Sequence, residues 1–196
     1  SNVAPPPGST GILGNNAIGA SVDTGDSDSL NAIRFVMPNQ AGTVTSMSVY
    51  VAAPVAPAPN HQFQLALYAD ASGQPGSLLA QSASGTLVAD AWNTLPMSAA
   101  LQPNTAYWLA YNTNSTDASQ NNFRFSTGAP GQYQYRPQAF GTWPAAFGTP
   151  SGSAAAQASI YATYTIGPGS PPPPPPPADT TAPTVGLSAP VAGATV

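Results

Sequence analysis

Residues 63–80 read FQLALYADASGQPGSLLA: an alternating apolar segment, a turn dense in glycine and proline, and a second apolar segment. Phe63, Leu65 and Leu67 alternate with Gln64, Ala66 and Tyr68, the two-residue period of a strand with one buried face. In Gln74-Pro75-Gly76-Ser77, proline stands where a type II turn needs a fixed negative φ and glycine where it needs a positive one. Two strands joined by a turn at 74–77 are therefore predicted.

The same pattern extends outward. A short edge strand is expected within 11–20, and further strands at 30–37, 44–52, 63–69, 78–82, 94–97, 105–113, 122–126 and 159–166. Turn residues such as Pro38-Asn39, Pro103-Asn104 and Gly128 to Gly131 separate them, and no segment keeps the helical period for more than a few residues. The class is all-β, and the spacing predicts a two-sheet antiparallel β-sandwich, jelly-roll-like, with extended Pro-rich termini. Residues 105–113 are apolar on both faces, which predicts a central strand and makes Trp108 a core residue. Trp92 is read as core as well. Arg34 and Arg124, inside strand patterns, are expected to pair with an Asp or to cover a sheet face with their stems.

Domain limits follow from composition. Residues 1–10, with Pro5, Pro6 and Pro7, read as a linker; 11–166 as the sandwich; and 167–180, with seven consecutive prolines from Pro171 to Pro177, as a polyproline spacer. Residues 181–196 supply one strand and too little chain for a core of their own.

The chain has 196 residues, of which 42% are hydrophobic and only 5% charged, and it contains no Lys, Glu or Cys. With three Arg and a net charge of −4, it lacks the basic surface that phosphate backbones require, so nucleic acid is not an expected partner. No apolar run has the length of a membrane span. Neutral polar composition of this kind points to an extracellular, secreted or cell-surface protein facing glycans and solvent.

Three constellations could carry chemistry. His61, the single histidine, sits in the loop PAPNHQ with no nucleophile motif beside it and reads as an exposed loop residue. Without Glu, paired-carboxylate catalysis would have to come from Asp residues that lie mostly in turns. No enzyme activity is expected. Asp23, Asp26 and Asp28 are candidate ligands for a structural Ca²⁺, against the alternative of a solvated turn whose Asp and Ser cap backbone amides.

Residues 131–148, GQYQYRPQAFGTWPAAFG, carry five aromatic residues and one charge. Tyr133, Tyr135, Arg136 and Trp143 are the candidate ligand contacts, because sugar C–H faces stack on exposed rings while amides take the hydroxyls. Tyr133 and Tyr135, alternating with Gln132 and Gln134, are expected at the surface. The alternative for Trp143 and its phenylalanines is a plug at one end of the sandwich.

The segments Gly42 to Tyr50, Leu67-Tyr68-Ala69-Asp70 with Gly73 and Pro75-Gly76, Ala91-Trp92-Asn93 and Thr105 to Leu109 together resemble a bacterial extracellular β-sandwich accessory module, similar to carbohydrate-binding modules. The APTV, SAP and GATV pieces of 181–196 resemble the opening strand of a bacterial immunoglobulin-like repeat, here incomplete. The resemblance implies a non-catalytic module contacting polysaccharide or cell-surface glycan. The rival reading is a structural spacer or self-assembling filament subunit, joined to neighbouring copies through its terminal arm and C-terminal strand.

Overall fold

The computed structural model describes residues 8–167, and every regular element among them is a strand. β5 (Gln62–Ala71) and β6 (Gln74–Gln81) form the antiparallel pair expected from the decisive stretch, but they meet earlier than predicted. Ala71 pairs with Gln74, and the turn is Ser72-Gly73, with φ of 56° and 83°. Two consecutive positive φ values match the right-handed twist of a hairpin, which a type II Pro-Gly turn would splay. Pro75 and Gly76 instead lie inside β6, Pro75 opposite Asp70 beside a register shift. A missing N–H is tolerated there because the ladder is already interrupted.

Two antiparallel sheets face one another and do not close into a barrel. The first has the order β1 (Thr10–Gly14), β14 (Ile160–Ile166), β4 (Gly42–Val51), β8 (Ala91–Leu101). The second has seven strands: β12 (Gly152–Ala154), β11 (Tyr133–Pro137), β3 (Ser29–Val36), β9 (Ala106–Thr113), β5 and β6, with β7 (Gly85–Thr86) also on β5. A small sheet of β13 (Ala156–Ala158), β10 (Arg124–Thr127) and β2 (Ser21–Val22) gives Ala156 and Ala158 to the core between them. That core joins Leu65, Leu67 and Leu109 of one sheet to Met47, Val49 and Ile160 of the other. Alternation places these residues on the inner faces.

A second apolar cluster lies on the opposite face of the seven-stranded sheet. The register sets Ala32, Ala110 and Ala66 side by side across β3, β9 and β5. Three small side chains in a row make a trough, and Trp143 and Phe147 from the segment after β11 pack into this cluster with Trp108 and Tyr68. β9 lies between β3 and β5 and is buried on both faces, as a central strand should be.

The domain begins slightly before residue 11. Thr10 pairs with Thr165, and the Gly8 N–H donates to the Ile166 carbonyl, so 8–10 belong to the sheet margin rather than to a linker. The rest of the expected N-terminal linker, the polyproline spacer from 168 onward and the strand in 181–196 lie outside the described residues. Within 8–167 no helix is long and apolar enough to cross a membrane.

Candidate functional site

The aromatic stretch 131–148 is folded onto the protein. Tyr133 is only 7% exposed, facing the core, where its ring meets Phe123 edge-on at 5.7 Å. Its hydroxyl lies 2.7 Å from Asn31 Oδ1 and 3.1 Å from Asp23 Oδ2. The surface position expected for Tyr133 is therefore wrong. Pairing with Ile33 on β3 fixes its parity inward, and the polar partner Gln134 is the residue on the outer face. Tyr135 is 38% exposed and packs on Tyr133 at 5.4 Å between centroids. Of the expected contacts it alone presents an exposed ring.

Arg136 is engaged within the protein. Its guanidinium donates to the Phe147 carbonyl and anchors the strap formed by 138–148. The strap is further held by Tyr68 Oη donating to the Pro144 carbonyl at 3.0 Å, and by Leu78 N and Phe147 N in bonds to Ala145 O and Gly76 O. Trp143 is buried, with its indole N–H unpartnered, and Phe147 is fully buried. These two residues do seal the fold, but they cover the outer face of the seven-stranded sheet rather than one end of the sandwich.

Beside the strap, an open cleft of about 570 Å³ is lined by Arg34, Gln74, Gln132 and Gln134 among others. Most of its hydrogen-bonding capacity is already used internally. Gln132 accepts from Ala129 N and donates to the Arg34 carbonyl, Gln134 donates to the Gly73 carbonyl, and Arg34 Nε is paired to Asp70 Oδ1 at 2.7 Å. Asp70 also accepts from Trp108 Nε1 at 2.9 Å and from Gly73 N. Burial pushes the Asp70 carboxyl upward, but these donors outweigh it and hold the group below its ordinary value. The ion pair expected for Arg34 is present and structural. Arg124 instead donates to the carbonyls of Gly19 and Ala20.

The opposite outer face is different. Tyr50 on β4, Trp92 on β8 and Tyr161 on β14 come together there, with Trp92 5.5 Å from Tyr50 and 4.9 Å from Tyr161 between ring centroids. Interplanar angles of 83° and 67° make both contacts edge-to-face. All three residues are partly exposed, and Trp92 is not the core residue expected. Its cross-strand partner is Tyr50, while the inward neighbours Val49 and Val51 pair with Asn93 and Ala91. Gly14, without a side chain, stands opposite Tyr161. The Tyr50 and Tyr161 hydroxyls and the Trp92 indole N–H make no hydrogen bond to the described residues. Along the same face, Ser48 and the exposed Thr94 share a hydroxyl contact of 2.7 Å. The site is an uncharged group of three rings with three unused polar hydrogens.

The aspartate group is only partly assembled. Asp28 is exposed in a left-handed conformation with φ 47°, whereas Asp26 is fully buried and Asp23 half-buried. His61 is half-buried with Nδ1 enclosed and unpartnered, so it is not the exposed loop residue expected.

No model of a known protein family matches the chain, and no curated protein matches it.

Proposed function

We propose that this chain is a non-catalytic extracellular module that contacts polysaccharide or cell-surface glycan through Tyr50, Trp92 and Tyr161. The observation that carries this reading is the uncovered aromatic group with its three unpartnered donors. A pyranose ring offers an apolar C–H face and a rim of hydroxyls, so it needs a ring to stack on and neutral donors and acceptors around it. A phosphate or an acidic chain would need cations. None of the three Arg is placed on this strand group: each is committed to Asp70, to Gly19 and Ala20, or to Phe147.

The edge-to-face geometry narrows the ligand. Rings at 67° and 83° to their neighbour do not form a coplanar strip, so the site suits one or two sugar rings of a single soluble chain better than a flat crystalline surface. The test is affinity electrophoresis of the full chain through a panel of soluble polysaccharides. Retardation by at least one of them is expected, lost in Trp92→Ala and Tyr161→Ala and kept in Tyr135→Ala. Loss in Tyr135→Ala alone would return the contact to the strap side. No retardation on any polysaccharide, together with filaments in negative-stain images, would replace this reading with self-assembly through the chain termini.

A further inference from the structure

Among the described residues Asp26 is the one carboxylate fully removed from solvent, and no cationic side chain among them is bonded to it. Its Oδ2 accepts from Phe123 N at 2.9 Å, while Oδ1 is buried with no hydrogen-bond partner. A buried ionised carboxylate with a free oxygen is costly unless a proton or a cation joins it. Among the three Arg, the hydrogen bonds recorded all go elsewhere, to Asp70, to Gly19 and Ala20, and to groups of the strap and β11. The charge that acts on Asp26 is another carboxylate, Asp23.

The neighbouring oxygens are also short of protons. Tyr133 Oη lies within hydrogen-bond distance of both Asp23 Oδ2 and Asn31 Oδ1, but it has one hydrogen to give. Ser29 Oγ already donates to Asn31 Oδ1. When Tyr133 serves Asn31, Asp23 Oδ2 is left without a donor. Acceptors therefore outnumber hydrogens where the segment between β2 and β3 meets β11. Burial, and then the charge of Asp23, push the Asp26 carboxyl well above its ordinary value. Asp23 is raised as well, by burial.

We propose that Asp23 and Asp26, with Asn31 Oδ1 as a neutral ligand, hold a hard divalent cation, Ca²⁺. Two carboxylates balance its charge. An oxygen-only set suits it, and half-buried Asp23 gives it a solvent-facing side on which water completes the coordination. No third Asp, Glu, His or Cys joins the group among the described residues, so the remaining ligands are backbone carbonyl or water oxygens. Asp28, exposed, is outside the site.

The experiment uses the full chain stripped with EDTA and desalted, melted with CaCl₂ or with NaCl at matched ionic strength. Saturating Ca²⁺ is expected to raise Tm by roughly 5 °C or more, and Tb³⁺ to give sensitised emission through nearby Tyr133. Asp26→Asn should abolish both responses, Asp23→Asn should weaken them, and Asp28→Asn should leave them intact. Equal Tm in CaCl₂ and NaCl with no Tb³⁺ emission would overturn the site, and that result needs no variant. A parent chain with equal Tm in EDTA and in Ca²⁺, matched or exceeded by Asp26→Asn, would assign Asp26 as a buried protonated acid instead.

Discussion

On the outer face of the seven-stranded sheet, Tyr68 and Trp108 lie beneath a strap that carries Trp143 and Phe147, while on the outer face of the four-stranded sheet Tyr50, Trp92 and Tyr161 remain partly exposed. Both groups use edge-to-face contacts, 5.6 Å for Tyr68 with Phe147 and 4.9 Å for Trp92 with Tyr161. Apart from the Trp143 indole N–H, which is buried and unpartnered, their polar atoms differ in fate. Tyr68 Oη and Trp108 Nε1 donate to Pro144 O and Asp70, whereas the donors of the other group stay unused. Aromatic density marks a binding surface only where the rest of the chain leaves it uncovered. The stretch richest in aromatics became cover, and the sparser set became the candidate site.

The comparison can be broken most directly at Phe147. Phe147→Ala removes a fully buried ring from the cluster and is expected to cost about 3–5 kcal/mol, read as a shift in the urea midpoint at unchanged m. A loss near zero would mean that the strap does not depend on this ring. Asp70→Asn is next: it removes the charge shared by Arg34, Trp108 and Gly73, with an expected loss of about 1–3 kcal/mol at pH 7. The sign of the pH effect follows from its lowered carboxyl. Stability from Asp70 is intact above about pH 4, its unfolded range, and is lost as pH falls through the lower folded value. Asp70→Asn should therefore flatten the acid limb of a Tm against pH curve below about pH 4; an unchanged limb would deny the ion pair its role.

The smallest effect on stability is expected at the uncovered face. Trp92→Ala should cost about 1 kcal/mol, the worth of its ring contacts, while removing most of the acrylamide quenching. Trp108 and Trp143, at 0% and 8% exposure, are shielded, so Trp92 is the tryptophan the quencher reaches. Quenching that survives in Trp92→Phe would show the strap lifting and carrying Trp143 into solvent, and the two faces would then be less different than their packing.

Much of the architecture was legible in the residues. The periods at 44–52, 63–69, 105–113 and 159–166 gave β4, β5, β9 and β14 within a few positions. The short strands β2, β7, β11, β12 and β13 were not expected, because two to five residues carry too little alternation to stand out from loop composition. The candidate site was half legible. In Ala91-Trp92-Asn93-Thr94-Leu95-Pro96-Met97, strand parity sets Trp92 with Thr94 and Pro96, away from Leu95 and Met97. Likewise, an inward Ile160, Ala162 and Tyr164 leaves Tyr161 outward. What parity could not give was that positions 50, 92 and 161 meet.

The sequence by itself determined the all-β class, the long strands and the lack of a basic surface, because period, turn residues and charge count are local or additive properties. Only the tertiary structure decided which aromatic residues remain at the surface. That depends on register between strands distant in sequence, which seats Tyr50 beside Trp92 and leaves a row of three alanines for the strap to fill. It also decided that Asp26 is buried and Asp28 is not, since burial is set by what folds over a residue and not by the residue itself.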